Sequence, residues 1–217
     1  MHVNRRDFST RLTALGIASA SIAIALPASA QGDPQEGAQF SRVEPPVPPA
    51  ASGKIEVLEF FSYACPHCNA FEPSVEAWSK KLPADVAFRR VPVHFLMNAE
   101  NFQRTYFALE TLGQVEAMNR KIFAAVHVDR LRLDKPDEIA ALVGKNGGDA
   151  AKFLSAFNSF SVATSVTRAK KLTESYKLDG VPSMAVQGRY VTSPGQAGNP
   201  ERALAVVDFL VARARKA

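Results

Sequence analysis

Ile55-Glu56-Val57-Leu58-Glu59-Phe60-Phe61-Ser62-Tyr63-Ala64-Cys65-Pro66-His67-Cys68 is the stretch that decides the fold. Its first half is a near-continuous apolar run broken by two glutamates, the pattern of a central strand covered on both faces. Its end is a cysteine pair that opens a helix. Pro66 suits the first helical position, and helical period continues to about Lys81 with Phe71, Val75 and Trp78 on one side. Pro73 falls inside that helix and is expected to bend it. Cys65 and Cys68 are the only cysteines of the chain, so a disulfide within one chain can only join these two.

Outward from this unit the pattern stays legible. Residues 31–53 form a Pro-, Gly- and Ala-rich lead-in centred on Pro45-Pro46-Val47-Pro48-Pro49, extended rather than helical, in which Gln39 to Val43 suit an edge strand. Val86 to Val93 reads as a second strand. From about Ala99 to Lys177 nearly everything has helical period. Phe102, Tyr106 and Leu109 make one stripe; Val115, Met118, Ile122 and Val126 make another. Pro136 starts a third helix, Phe153, Leu154 and Phe157 belong to a fourth, and Val162 to Leu178 is a fifth. Ser183 to Val186 and Tyr190 to Thr192 flank Gln187-Gly188, a hairpin turn. Asn199 caps, and Pro200 starts, a last helix with Ala203, Leu204, Val207, Leu210 and Val211 inward.

The order strand–helix–strand, block of helices, hairpin, helix gives an α/β chain: a thioredoxin-like fold with an inserted all-helical domain. The expected partition is 54–97 together with 179–217 for the discontinuous thioredoxin-like domain, and 98–178 for the helical insert. At 217 residues and 47% hydrophobic, the chain supports a full core without structural disulfides.

Residues 1–30 read as a secretory signal peptide. Arg5, Arg6 and Arg11 precede a short, mildly apolar run, and Ala28-Ser29-Ala30 is a small-residue cleavage site, placing the mature start near Gln31. Arg5-Arg6-Asp7-Phe8 also resembles a twin-arginine signal; an ordinary positive leader and an uncleaved anchor are the other readings. The chain carries 26 basic and 21 acidic residues, and without residues 1–30 the net charge falls from +5 to +3. Such a modest excess, without a clustered basic face, does not point to nucleic acid.

The chemistry follows from the pair. At a helix start, residues three apart share a face at a Cα separation of roughly 5–6 Å, which a disulfide accepts. Zinc would need further ligands, and His94 and His127 are remote in sequence. Cys65 is expected to lie at the exposed helix N-terminus and to attack or be attacked. Cys68 is expected to be shielded and to resolve the mixed disulfide. The helix dipole contributes up to about 2 kcal/mol to a Cys65 thiolate, first-turn N–H groups add roughly 1.5–3 kcal/mol each, and His67 adds a donor or a positive charge. Stabilising the thiolate weakens the disulfide, so a dithiol of this kind is an oxidant.

At this point the chain resembles the DsbA family of periplasmic thiol oxidases. Val57 to Ser62 leading into Cys65-Pro66-His67-Cys68 and then Phe71-Glu72 is similar to that family's active-site strand and helix. Gly180-Val181-Pro182 followed by Ser183 to Tyr190 is similar to its cis-proline loop and hairpin. The resemblance covers essentially the whole mature chain. It implies that Cys65 is the nucleophile, Cys68 its buried partner, and Pro66 and His67 the dipeptide that tunes the potential. It further implies that Pro182 is a cis-proline facing the disulfide, Val181 a substrate-contacting residue, and Glu59 a buried acid that helps to move protons. Ala64 departs from an aromatic residue often found there, and Arg90 stands where a lysine is common.

The activity expected is donation of the Cys65–Cys68 disulfide to newly secreted, cysteine-containing proteins. Reoxidation by a DsbB-like inner-membrane protein would follow, in the periplasm, by a monomer that needs no cofactor of its own. An isomerase or reductase on the same fold, and a peptide-binding chaperone with idle cysteines, are the rival readings.

Overall fold

The computed structural model describes residues 32–50 and 53–216. The signal-peptide reading of residues 1–30 lies outside them. Five strands form one mixed sheet: β1 (Ser41–Arg42), β2 (Ile55–Phe61), β3 (Val86–Pro92), β4 (Ser183–Val186) and β5 (Tyr190–Thr192), in the spatial order β1-β5-β4-β2-β3. β2 runs parallel to β3 and antiparallel to β4, so the strand that leads to the cysteines has a neighbour on each side. A parallel neighbour needs a crossover, and α1 (Pro66–Ser79) supplies it.

Side-chain alternation along β2 sets what lies beneath the active-site helix. Val57 packs with Phe71 and Val75 of α1 and with Ala203, Val207 and Leu210 of the final helix. Leu58 and Phe60 face the other way, against Ala169 and Tyr176. Glu59 shares the parity of Val57 and Phe61 and therefore points under α1.

Between β3 and β4 come five helices: α2 (Ala99–Thr111), α3 (Val115–His127), α4 (Pro136–Lys145), α5 (Ala150–Phe157) and α6 (Phe160–Ser175). Their apolar stripes enclose a core that includes Phe102, Leu109, Ile122, Phe123 and Phe153, and this core is continuous with Phe61, Tyr63, Cys65 and Cys68. The helical block thus packs directly against the cysteine pair. Local chemistry fixes the ends. Asp149 and Ser159 accept from the Lys152 and Val162 amides as N-caps.

The hairpin turn places Gln187 and Gly188 at φ 52° and 64°, the positive values a tight turn between antiparallel strands requires. A Cβ on Gly188 would sit 1.6 Å from the Val47 carbonyl oxygen, so glycine is required there by contact as well. A short helix not apparent in the sequence, α7 (Pro194–Ala197), follows β5 and is capped by Ser193. The last helix, α8 (Pro200–Ala214), starts where Asn199-Pro200 predicts, with Asn199 Oδ1 accepting from Arg202 N at 2.7 Å.

Candidate active site

Cys65 is the N-cap of α1, and its sulfur does what a capping oxygen does elsewhere: it accepts from the Cys68 amide at 3.3 Å. Pro66 and His67 are exposed. The pair itself is not open to solvent. Cys65 retains 6% exposure and Cys68 1%, which corrects the expectation of an exposed first cysteine. The cover comes from the loop before β4, where the Cys65 thiol donates to the Val181 carbonyl at 3.3 Å. The Val181–Pro182 peptide bond is cis. Beside it lies a groove of about 290 Å³ lined by His67, Gly180, Val181, Pro182, Ser193 and Pro194. The two cysteines are thiols in this structure.

The two sulfurs are electrostatically unlike. Cys65 is lowered to about 6. The Cys68 thiol donating toward it is the largest cause, followed by the backbone amides of Cys68 and His67 and by the His67 charge, all acting against the cost of burial. Cys68 is pushed far above an ordinary thiol by burial and by the neighbouring sulfur. The same hydrogen bond separates them, since it favours an anion on the acceptor and a proton on the donor.

Beneath the pair lies a cluster that periodicity does not reveal. Glu59 and Arg90 are directly paired across β2 and β3. Arg90 Nε donates to Glu59 Oε2 at 2.8 Å, and its Nη2 donates to Glu72 Oε1 and Oε2 at 3.0 and 3.2 Å. All three side chains are nearly inaccessible. Burial raises Glu59 to about 7, with Arg90 only partly offsetting it and Glu72 adding to it. Glu72 is raised for the same first reason. It occupies the position one turn after Cys68 on the inward face of α1, and an acid between Phe71 and Val75 on an apolar face is the signal that marks it.

α3 also reaches the site. Tyr63 donates from its hydroxyl to Asn119 Oδ1 at 2.6 Å, and His127 Nε2 donates to the Tyr63 carbonyl at 2.8 Å. The Asn119 amide nitrogen lies on the Glu72 side and favours its carboxylate, yet no acceptor meets it in good hydrogen-bond geometry. Its contact with Glu72 is therefore electrostatic proximity rather than a formed bond. The structure thus brings Cys65, Cys68, Val181, Pro182 and Glu59 together around one sulfur pair, and adds Arg90, Glu72, Tyr63, Asn119 and His127.

A family model described as a DSBA-like thioredoxin domain matches residues 84–201. The thiol:disulfide interchange protein DsbA of Bordetella parapertussis is 43% identical over 208 residues, covering 95% of this chain and 97% of that protein. Its counterpart in Azotobacter vinelandii is 41% identical over 210 residues, covering 96% and 94%. The crystal structure of Pseudomonas aeruginosa DsbA superposes with a TM-score of 0.81 at 40% identity, covering 84% of this chain and 95% of that one. With a family model spanning more than half its length and relatives of this identity along nearly all of it, the chain belongs to the DsbA family, thiol:disulfide interchange enzymes with a thioredoxin-like fold.

Proposed function

We propose that this enzyme is the oxidising member of an export pathway. It donates the Cys65–Cys68 disulfide to newly secreted proteins in the periplasm and is reoxidised by a DsbB-like membrane protein. The observation that carries this reading is the asymmetry of the two sulfurs. Cys65 lies well below an ordinary thiol and Cys68 far above it, so the reduced state is held as thiolate plus thiol and the bridge is given away readily. Residues 1–30, with Arg5, Arg6 and the small residues at 28–30, supply the export signal.

The steps follow from position. A substrate chain lies in the groove beside Pro182 and pairs with the Val181 backbone as an added strand. Its thiolate attacks the sulfur of Cys65, and the S–S bond breaks with the electron pair going to Cys68. Cys68 takes a proton, delivered from Glu59. A second substrate thiolate then attacks the substrate sulfur of the mixed disulfide, and Cys65 departs as a thiolate. A leaving group of low pKa makes this last step fast. The substrate pair is oxidised by two electrons and the enzyme pair reduced by two.

The test is the equilibrium of the pair with glutathione. An oxidase is expected to settle at a potential far more oxidising than thioredoxin's, near ~−120 mV rather than ~−270 mV. A value near thioredoxin's overturns the reading.

His67 gives a second prediction. Its charge lowers Cys65, but it ranks below the Cys68 thiol and the two backbone amides among the causes. Changing His67 to alanine is expected to raise the Cys65 titration midpoint modestly. Changing Cys68 to alanine is expected to raise it more. Ultraviolet absorbance of the thiolate follows both variants, and a larger effect from His67 would reverse the order of causes assigned here.

A further inference from the structure

The groove beside the cis-proline does not end at the cysteines. It holds about 290 Å³, and a second cleft of about 530 Å³ opens from it toward β1 and the turn after α6. Asp179, Ser183 and Ser193 line both, so they form the wall that the two hollows have in common. The two serines are engaged within the fold. Ser183 Oγ donates to the Gly180 carbonyl at 2.8 Å, and Ser193 Oγ accepts from the Gln196 amide at 3.1 Å. Asp179 is exposed, and among the described residues no cation or hydrogen-bond donor meets its carboxylate.

The cations nearby are turned elsewhere. Lys177 Nζ donates to the Glu44 carbonyl at 3.1 Å, and Arg42 Nε donates to Glu36 Oε1 at 2.6 Å. With Arg42 offset by Glu36, the larger cleft sets Lys177 against Glu44 and Asp179, an excess of one negative charge. Among the described residues lining the smaller groove, His67 is the one other titratable group.

Chain position fixes which part of a substrate reaches this carboxylate. Asp179 precedes Val181 by two residues, a span of at most ~7 Å, and the Val181 carbonyl lies 3.3 Å from the Cys65 sulfur. A substrate chain paired with the Val181 backbone brings its reacting cysteine to that sulfur. Its side chains two or three residues along then come level with Asp179. A basic side chain there meets an unpartnered carboxylate and is attracted; an acidic one is repelled.

We propose that Asp179 is a specificity-determining residue, favouring substrate proteins that carry lysine or arginine within two or three residues of the cysteine that reacts first. The proposal rests on the reading that the substrate chain lies beside Pro182. Asp179 acts by its charge on the bound chain and takes no part in the exchange of sulfurs.

The experiment uses the full chain with Cys68→Ser, alone and combined with Asp179→Asn or Asp179→Lys. Each protein is given peptides whose single cysteine is held as a disulfide with thionitrobenzoate, with lysine or glutamate two residues before or two residues after that cysteine. The Cys65 thiolate attacks the peptide sulfur, the peptide–thionitrobenzoate bond breaks, and the electron pair leaves on thionitrobenzoate, whose absorbance gives the second-order rate constant. The quantity read is the ratio of the lysine to the glutamate peptide, in which any general change in Cys65 reactivity cancels. On at least one side of the cysteine this ratio is expected to fall about fivefold in Asp179→Asn, the size of an exposed charge pair counted as attraction gained and repulsion removed. In Asp179→Lys it is expected to fall further. Amide shifts of Gly180, Val181 and Ser193 in the captured adduct report separately whether the peptide lies in the groove.

A ratio that stays unchanged in Asp179→Asn on both sides of the cysteine overturns the proposal. If the groove amides shift nonetheless, the proposal falls alone; if they do not, the placement of the substrate beside Pro182 falls with it. A glutathione equilibrium near thioredoxin's would overturn the oxidase reading and leave this ratio standing, because capture by Cys65 does not depend on the potential of the pair.

Discussion

A Cys65→Ser variant is expected to lose disulfide donation altogether, by three orders of magnitude or more in rate (~10³-fold), whereas Cys68→Ser is expected to stall as a mixed disulfide. The two residues differ because the fold gives them different solvation. Cys65 sits at the cap of α1 with the Cys68 amide and thiol both directed at its sulfur. One pH unit above a midpoint of about 6, the anion outnumbers the thiol roughly ten to one. It is therefore the better leaving group, and a substrate thiolate that attacks it expels Cys68 within the same helical turn. A serine there can neither form the bridge nor carry the substrate. Serine at position 68 leaves Cys65 free to capture substrate from an activated disulfide but removes the enzyme's own thiol that can resolve it. Non-reducing gels and mass spectrometry of cells lacking their own oxidase separate the outcomes. Cys65→Ser should show neither rescue nor adducts, and Cys68→Ser adducts without rescue. Rescue by Cys65→Ser would mean that the pair does not catalyse, as a chaperone with idle cysteines would behave.

Much of this site is written locally. Asn199-Pro200 starts α8 and Gln187-Gly188 turns the hairpin because caps and turns depend on a few adjacent residues. The apolar run 55–61 becomes a central strand because its residues are apolar enough to be covered on both faces, and all but Ile55 are buried. What remains hidden depends on long-range register. Nothing near Cys65 in sequence announces that the Val181 carbonyl, 116 residues away, covers its sulfur. That contact turns an expected exposed thiol into one of 6% exposure. Arg90 looks like a surface residue of an alternating strand until the parallel pairing of β2 with β3 sets it against Glu59. Glu72 looks like one more helix acid until α1 packs on the sheet with that face down. The roles of Tyr63, Asn119 and His127 need the helical block docked against the active-site turn, and no periodicity encodes docking.

Arg90→Met is expected to be the most damaging substitution away from the sulfurs, costing about 3–5 kcal/mol of folding stability at neutral to alkaline pH. Methionine fills similar space but leaves the Glu59 and Glu72 carboxylates buried, adjacent and uncompensated, since Arg90 is the cation that bonds both. The loss depends on pH with a definite sign. In the native state both acids are already raised by burial, and removing Arg90 deletes a cause that lowers them, so they rise further. An acid whose folded pKa exceeds its unfolded value adds nothing adverse below the unfolded value, near 4.5. It costs stability progressively as pH climbs toward the folded value. The deficit of Arg90→Met relative to wild type should therefore be smallest in acid, well below the Glu59 value of about 7, and grow toward pH 8 and above. Urea unfolding of wild type and variant across this range measures it. Arg90→Lys keeps the charge but not the planar edge that meets two acids at once, and should lose less than half as much. Combining Arg90→Met with Glu59→Gln and Glu72→Gln removes the uncompensated charge and should flatten the pH dependence even if packing stays imperfect. A deficit that is constant with pH would assign the loss to packing around residue 90, and the carboxylate pair would then have no part in it.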